Sequence, residues 1–220
     1  KEVNLKNLYF SYGDKKILHN INLSILKNQT VAFVGESGSG KTTLVNLISG
    51  LLKPTMGKLT FDGVIMENLN IKSYHSKIGY ITQESNIFND TIFNNVTFWR
   101  HKNKENLLRF NNAIKNSAIF EFVKQNNKKE DLMLGSNGIN LSGGQKQRVS
   151  ISRELFKNPE ILFMDEATAS LDSETENLIQ NSIDKLKGKI TIIIISHRLS
   201  TIKTADKIFF MSKGKIIAEG

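Results

Sequence analysis

Three groups of residues have the types and spacing for chemistry on phosphate. The first is Gly35-Glu36-Ser37-Gly38-Ser39-Gly40-Lys41-Thr42, followed by Thr43. Glycine adopts positive φ readily and lets backbone amides approach an anion with no Cβ in between. In the Gly-x4-Gly-Lys-Thr pattern the lysine reaches the β- and γ-phosphates of a nucleotide, and the threonine hydroxyl is a magnesium ligand. The second group is Asp165-Glu166, which closes the apolar run Ile161-Leu162-Phe163-Met164. Carboxylates at the carboxyl end of a parallel strand face the ligand crevice of an open sheet. An acidic pair after an apolar run is, on its own, more often a strand end meeting solvent. The third group is Leu141-Ser142-Gly143-Gly144-Gln145. Ser142 and Gln145 have the spacing of a capping box, so Gly143 and Gly144 open a helix whose N-terminus suits a second phosphate.

Periodicity indicates the elements that must position these groups. Val31-Ala32-Phe33-Val34 is a continuous apolar run that enters the glycine-rich loop as a buried strand. Leu44, Leu47, Ile48 and Leu51 recur at helical spacing and predict a helix over Thr42 to Leu52, its positive N-terminal end directed at phosphate. Gln145 to Phe156 has the composition of a helix. Ile161 to Met164 and Ile192 to Ile195 are further buried strands, and 158–211 with 31–56 supply the parallel sheet. Residues 1 to 30 and 57–66 alternate as short strands, whereas 84–157 is mostly helical. Ser173 to Lys187 is predicted as an amphipathic helix, with a capping box at Ser173 and Glu176 and a stop at Gly188. There is no internal repeat, heptad run or low-complexity linker.

In this order the three groups resemble the nucleotide-binding domain of ABC (ATP-binding cassette) proteins, over nearly the whole chain. The resemblance implies an α/β fold: a P-loop NTPase core with a mainly parallel sheet, an antiparallel β subdomain and a helical signature subdomain. It implies one domain over 1–220, with 1–83 and 158–220 forming the core and β subdomain and 84–157 the helical part. ATP and magnesium are the implied cofactors. Asp165 then holds magnesium, generally through water, and Glu166 polarises the attacking water as general base. Gln83, after the strand-like Ile78-Gly79-Tyr80-Ile81, matches the glutamine that contacts magnesium and that water. His197 matches the histidine that bonds the γ-phosphate. Tyr12 matches the aromatic that stacks on adenine, with Tyr9 close enough in sequence to take that place. Asp172, in Ser170-Leu171-Asp172, matches the loop that contacts a partner cassette. The resemblance also implies that Ser142, Gly143, Gly144 and Gln145 of one cassette close on the γ-phosphate held by Gly35 to Thr42 of another. Two ATP molecules are thereby sandwiched in a head-to-tail dimer.

The stretches from Gln83 to Ile92 and from Ser196 to Ile202 resemble ABC exporters more than importer ATPases. Exporter cassettes usually follow a membrane domain, yet the longest apolar run here is far below the ~20 residues of a membrane helix. An excised or separately encoded cassette is expected, acting at the cytoplasmic side of a membrane, with Ser85 to Thr97 docking on a transmembrane partner. One departure is Ser136-Asn137 between Gly135 and Gly138, where exporters commonly carry a Glu-Arg pair. The shape of that motif survives without its charges. A soluble ABC ATPase acting on DNA or the ribosome is the alternative. It is disfavoured because the segment from Thr42 to Leu141 holds no coiled-coil insertion and the chain carries a single cassette.

Composition agrees. A chain of 220 residues is long enough for a substantial core, and zero cysteine excludes disulfides and thiolate-bound metal. The formal charge of +9 comes from dispersed lysines, clustered only at Lys124 to Lys129, a predicted solvated loop. No nucleic-acid partner is therefore expected.

Overall fold

The computed structural model describes residues 2–167, 173–196 and 202–220, with the backbone alone at Thr175. The chain divides into two compact units, 1–78 with 160–166 and 187–220, and 79–159 with 167–186.

The first unit holds two sheets. Strands β1 (Glu2–Tyr12), β2 (Lys15–Leu26), β4 (Met56–Phe61) and β5 (Val64–Ile65) form an antiparallel sheet in the order β2-β1-β4-β5. Alternation places Val3, Leu5, Leu8 and Phe10 of β1 inside. The pairing of β1 is broken by irregularities on either side of Leu8, and Asn7 there takes a φ of 47°. Gly57 lies against this break: a Cβ on it would stand 2.1 Å from the Asn7 carbonyl oxygen.

The second sheet of this unit has the order β10-β9-β3-β8-β7, built from β3 (Thr30–Val34), β7 (Ile161–Asp165), β8 (Thr191–Ile195), β9 (Lys207–Ser212) and β10 (Lys215–Glu219). The pairs β3 with β8, β3 with β9, and β7 with β8 are parallel, and β10 returns antiparallel on β9. Every residue of β3 and β8 is buried, as expected of parallel strands covered on both faces. Phe33 and Phe209, neighbours in register, stack with ring centroids 5.5 Å apart. The strand β6 (Ile78–Ile81) begins in the first unit and runs into the second.

The predicted helix after the glycine-rich loop is shorter than its periodicity suggested. Helix α1 spans Lys41–Ile48 and stops because Gly50 takes a φ of 79°. There the Gly50 amide donates to the Leu47 carbonyl and the Leu51 amide to the Asn46 carbonyl, the paired bonds of a Schellman stop. Leu51, expected on the apolar face, is exposed. The carbonyl of Ile48, the last residue of the helix, is met by α2 (Ile71–His75), whose Tyr74 hydroxyl donates to it at 2.8 Å.

The second unit is helical apart from β6: α3 (Ile92–Thr97), α4 (Lys104–Asn116), α5 (Phe120–Gln125), α6 (Gly143–Phe156) and α7 (Ser173–Asp184). Ile92, Phe93, Val96, Phe110, Ile114 and Val149 form the centre of its core. Burying each such side chain contributes roughly 1.5–3 kcal/mol. Helix α7 ends at Asp184, short of the predicted Lys187, and Ser173 is its first helical residue. The residue before it, Asp172, lies outside the described residues. Lys124 stands in the last turn of α5, so the predicted basic loop begins as helix, although Lys124, Lys128 and Lys129 are all exposed. Among the described residues no helix is long and apolar enough to cross a membrane.

Candidate functional site

The loop from Gly35 to Gly40 joins β3 to α1. Gly35, Gly38 and Gly40 have φ of 147°, 77° and 100°, so all three use conformations that favour glycine. Their missing Cβ atoms serve different ends. At Gly35 a Cβ would lie 2.0 Å from the Met211 carbonyl oxygen, and at Gly40 it would lie 2.8 Å from Leu18. These two glycines also permit close packing within the protein, a use that the spacing did not suggest. Of the three, only Gly38 has none of the described residues within 4 Å of where a Cβ would stand, which is where a ligand would approach.

Helix α1 starts at Gly40 with no side-chain cap and no acidic residue in its first turn. The amides of Gly40, Lys41, Thr42 and Thr43 have no partner within the helix, as at any helix start. The hydroxyl of Ser39 is buried and finds no hydrogen-bond partner among the described residues. An uncapped helix end beside an orphaned buried hydroxyl fits a phosphate group.

Lys41 is buried, and its Nζ donates to the Gly35 and Glu36 carbonyls, both at 2.8 Å. The lysine thus ties the loop into a ring. Burial lowers its pKa, opposed by the negative charges of Glu166 and Asp165. Asp165 ends β7, and its pKa is raised by burial, against a hydrogen bond from the Thr42 side chain. Thr42 and Asp165 therefore meet as a hydroxyl and a carboxylate, hard oxygen donors of the kind that magnesium takes. Among the described residues no group of three or more His, Asp or Glu side chains converges on one point. Magnesium is commonly held by one or two carboxylates with the remaining positions taken by phosphate and water, so the small donor set fits it.

Glu166 follows with a φ of 49°, unusual for a residue with a Cβ, and its amide donates to the Ile195 carbonyl at 3.0 Å. Strain at a non-glycine residue is concentrated at sites where side-chain direction matters. Tyr12 lies at the end of β1, exposed at 52% and edge-on to Phe10 at 4.8 Å; Tyr9 is less exposed at 37%. Glu36 and Ser37 complete the loop, with the Glu36 carbonyl accepting from the Ser39 amide.

In the second unit, Ser142 caps α6. The Ser142 hydroxyl accepts from the Gln145 amide at 3.2 Å, and the Gln145 side chain accepts from the Ser142 amide at 2.9 Å. Gly143 and Gly144 form the first turn. Gln83 follows β6 with its side chain exposed. Gly135 and Gly138 keep positive φ around Ser136 and Asn137, and a Cβ on Gly138 would press on Ile87 at 3.1 Å. His197 and Asp172 lie outside the described residues.

Sequence reasoning missed a polar cluster beneath the loop that follows Gln83. The Asn95 side chain accepts from the Phe88 amide at 2.8 Å and donates to the Phe88 and Thr91 carbonyls at 3.0 Å. Arg153 of α6 donates to the Asn95 carbonyl, with its guanidinium 5.2 Å from the ring centres of both Phe88 and Phe98. Phe88, Phe98 and Trp99 are nevertheless exposed. The aromatic letters were visible in the sequence, but their convergence comes from the left-handed backbone at Phe98 and Trp99, φ 51° and 57°, which no spacing reveals.

This fold and this phosphate-loop arrangement define a nucleotide-binding cassette. The ABC transporter family matches residues 18–169. The chain is 40% identical over 220 residues to the ATP-dependent lipid A-core flippase of Francisella tularensis subsp. tularensis (strain FSC 198), covering 99% of this chain and 36% of that protein. It is also 40% identical to the ATP-dependent lipid A-core flippase of Syntrophus aciditrophicus (strain SB), over 100% of this chain and 36% of that one. The solved structure of a bacterial Atm1-family ABC exporter with ATP bound superposes with a TM-score of 0.90 at 35% identity, over 100% of this chain and 38% of that chain. The chain thus spans little more than a third of the length of these relatives. It belongs to the ABC transporter family.

Proposed function

We propose that the chain is the motor of an exporter: it binds ATP with magnesium, closes as a head-to-tail dimer, and drives associated transmembrane domains from the cytoplasmic face of the membrane. The observation that carries this reading is the open end of α1, with its uncapped amides, the orphaned Ser39 hydroxyl, and the Thr42–Asp165 pair beside it. The cassette is one domain, 1–220, with 1–83 and 158–220 as core and β subdomain and 84–157 as helical subdomain.

Phosphoryl transfer to water needs positioning and charge stabilisation more than covalent chemistry from the protein. The amides from Gly38 to Thr43 cradle the phosphates, and Lys41 fixes the loop shape while adding a positive charge. Magnesium, when bound, neutralises charge on the phosphate oxygens. Thr42, Asp165 and Gln83 are the residues that would hold it. Glu166 orients the attacking water and accepts its proton, aimed by its strained backbone. His197 and Gln83 respond to the γ-phosphate, and Tyr12 stacks on adenine. Ser142, Gly143, Gly144 and Gln145 of the partner subunit, with its Asp172, complete the site. The exporter relatives favour this reading over an ATPase acting on DNA or the ribosome.

The exposed Phe88, Phe98 and Trp99 support docking of Ser85 to Thr97 on a transmembrane partner. Aromatic residues and arginine are enriched among the residues that anchor protein interfaces. Phe88→Ala should lower transport in vesicles carrying the assembled exporter while leaving ATP binding intact; lost ATP binding with docking intact would contradict that assignment. The reading as a whole is tested by the initial ATPase rate against chain concentration at saturating magnesium ATP. A rate rising with the square of concentration at the low end is expected. A linear rate from a species that light scattering finds monomeric would overturn the sandwich.

A further inference from the structure

Helix α6 carries polar side chains on its buried face, and one of them grips the segment that holds Gln83. Gln147 is exposed at only 3%. A buried carboxamide costs free energy unless both its ends are hydrogen-bonded. Its Nε2 donates to the Thr82 carbonyl at 3.3 Å, and its Oε1 accepts from the Ser85 hydroxyl. The orientation of the amide follows from chemistry, because a carbonyl can only accept. The Thr82 hydroxyl meanwhile donates to the Glu84 carbonyl at 2.8 Å and turns the chain outward at Gln83. Strand β6 has ended at Ile81, so the sheet ladder no longer supports residues 82–85. A single side chain bridges the two flanks of Gln83, which stands exposed between them. Farther along α6, the Glu154 carboxylate accepts from the Tyr80 amide at 3.0 Å and anchors the strand end that leads into the bridge.

We propose that Gln147 is a positioning residue for Gln83: it fixes the Thr82–Ser85 turn to the helix that begins at the signature, so that Gln83 presents its side chain in one direction. The inference rests on the assignment of Gln83 to the γ-phosphate and attacking water made above. It also makes α6 a single rigid carrier, with Ser142 at one end and Gln147 holding the Gln83 segment about one turn further on.

The test uses the full 220-residue chain. Gln147→Met is close in shape and deletes both bonds. Its kcat should fall roughly tenfold, with KM for ATP within about twofold, since misplacement of a positioning group costs turnover before binding. Without nucleotide, hydrogen exchange at residues 83–86 should accelerate while the core of α6 stays protected. Ser85→Ala, which removes one bond outside the helix, should give a smaller loss of the same kind and is informative even where Gln147→Met folds poorly. In a Gln83→Ala background, Gln147→Met should cause no further loss of kcat. Losses that multiply in the double variant, or unchanged exchange at 83–86 in both single variants, would overturn the inference. Failure of the unaltered chain to hydrolyse ATP would instead strike the functional reading, and the exchange result would still decide whether Gln147 holds the turn.

Discussion

Helices α1 and α6 both have glycine at their start, Gly40 as the cap of α1 and Gly143 and Gly144 in the first turn of α6, and both are assigned to phosphate, yet these ends are built in opposite ways. The N-terminus of α1 is left open: its cap residue is Gly40, it has no side-chain cap, and the neighbouring Ser39 hydroxyl finds no partner among the described residues. The N-terminus of α6 is closed by its own sequence, with Ser142 and Gln145 exchanging both bonds of a capping box. An open helix end is a site waiting for its partner, whereas a self-capped one is stable alone and can add an anion later. The difference matches a division of labour in which one chain holds the nucleotide and the other arrives to close on it.

The largest effect that sharpens this contrast is expected at Glu166, the carboxylate beside the open end. Glu166→Gln should lower kcat by about 10²–10⁴, the range for a general base, while ATP still drives dimer formation in light scattering. Undiminished turnover would remove Glu166 from that role. Next come the glycines. Gly35→Ala places a Cβ 2.0 Å from a backbone oxygen and should destabilise the fold by several degrees in thermal melting, with or without ATP. Gly38→Ala meets none of the described residues within 4 Å and should cost stability only through its φ, about 1–2 kcal/mol, while ATP affinity falls. Equal melting losses in the two variants would break the distinction between packing and ligand glycines.

A smaller effect is expected at the closed end. Ser142→Ala removes a cap worth about 1 kcal/mol, which is about 2–4 °C in a chain of this size. The smallest change in melting belongs to Asp165. Burial raises its pKa, so the folded protein holds the proton more tightly than the unfolded chain. That preference is fully present below the ordinary aspartate value and is lost as pH rises through the raised one. At neutral pH ionised Asp165 is therefore a cost to folding, and Asp165→Asn should raise the melting temperature slightly while hydrolysis is lost. The melting difference should vanish in acid. A variant that melts lower at neutral pH would contradict the burial account.

Much of the phosphate site was legible because its chemistry is written in contiguous runs. Gly35 to Thr42, Asp165-Glu166 and Ser142 to Gln145 each sit on one turn or one strand end, and the capping box formed with the bonds its spacing implied. The all-apolar strands were equally plain, since burial on both faces leaves no alternation to misread. What escaped depends on contacts between distant segments. The reason for Gly35 is a carbonyl on β9, the donor groups of Lys41 turn back on its own loop, and the buried links from Asn95, Gln147 and Arg153 join positions far apart in sequence. The end of α1 was locally readable: Gly50 outweighed the apolar periodicity that ran on to Leu51.

The central claim is that each site takes its open helix end from one chain and its closed helix end from another. Complementation tests it most directly. Lys41→Ala disables the phosphate loop and Ser142→Arg the capped end, and each variant alone should be inactive. In a head-to-tail pair of one with the other, one composite site keeps an intact Lys41 and an intact Ser142. The account predicts that mixing the two inactive proteins restores ATP hydrolysis. No recovery, from mixtures that light scattering finds to form ATP-dependent dimers, would contradict it.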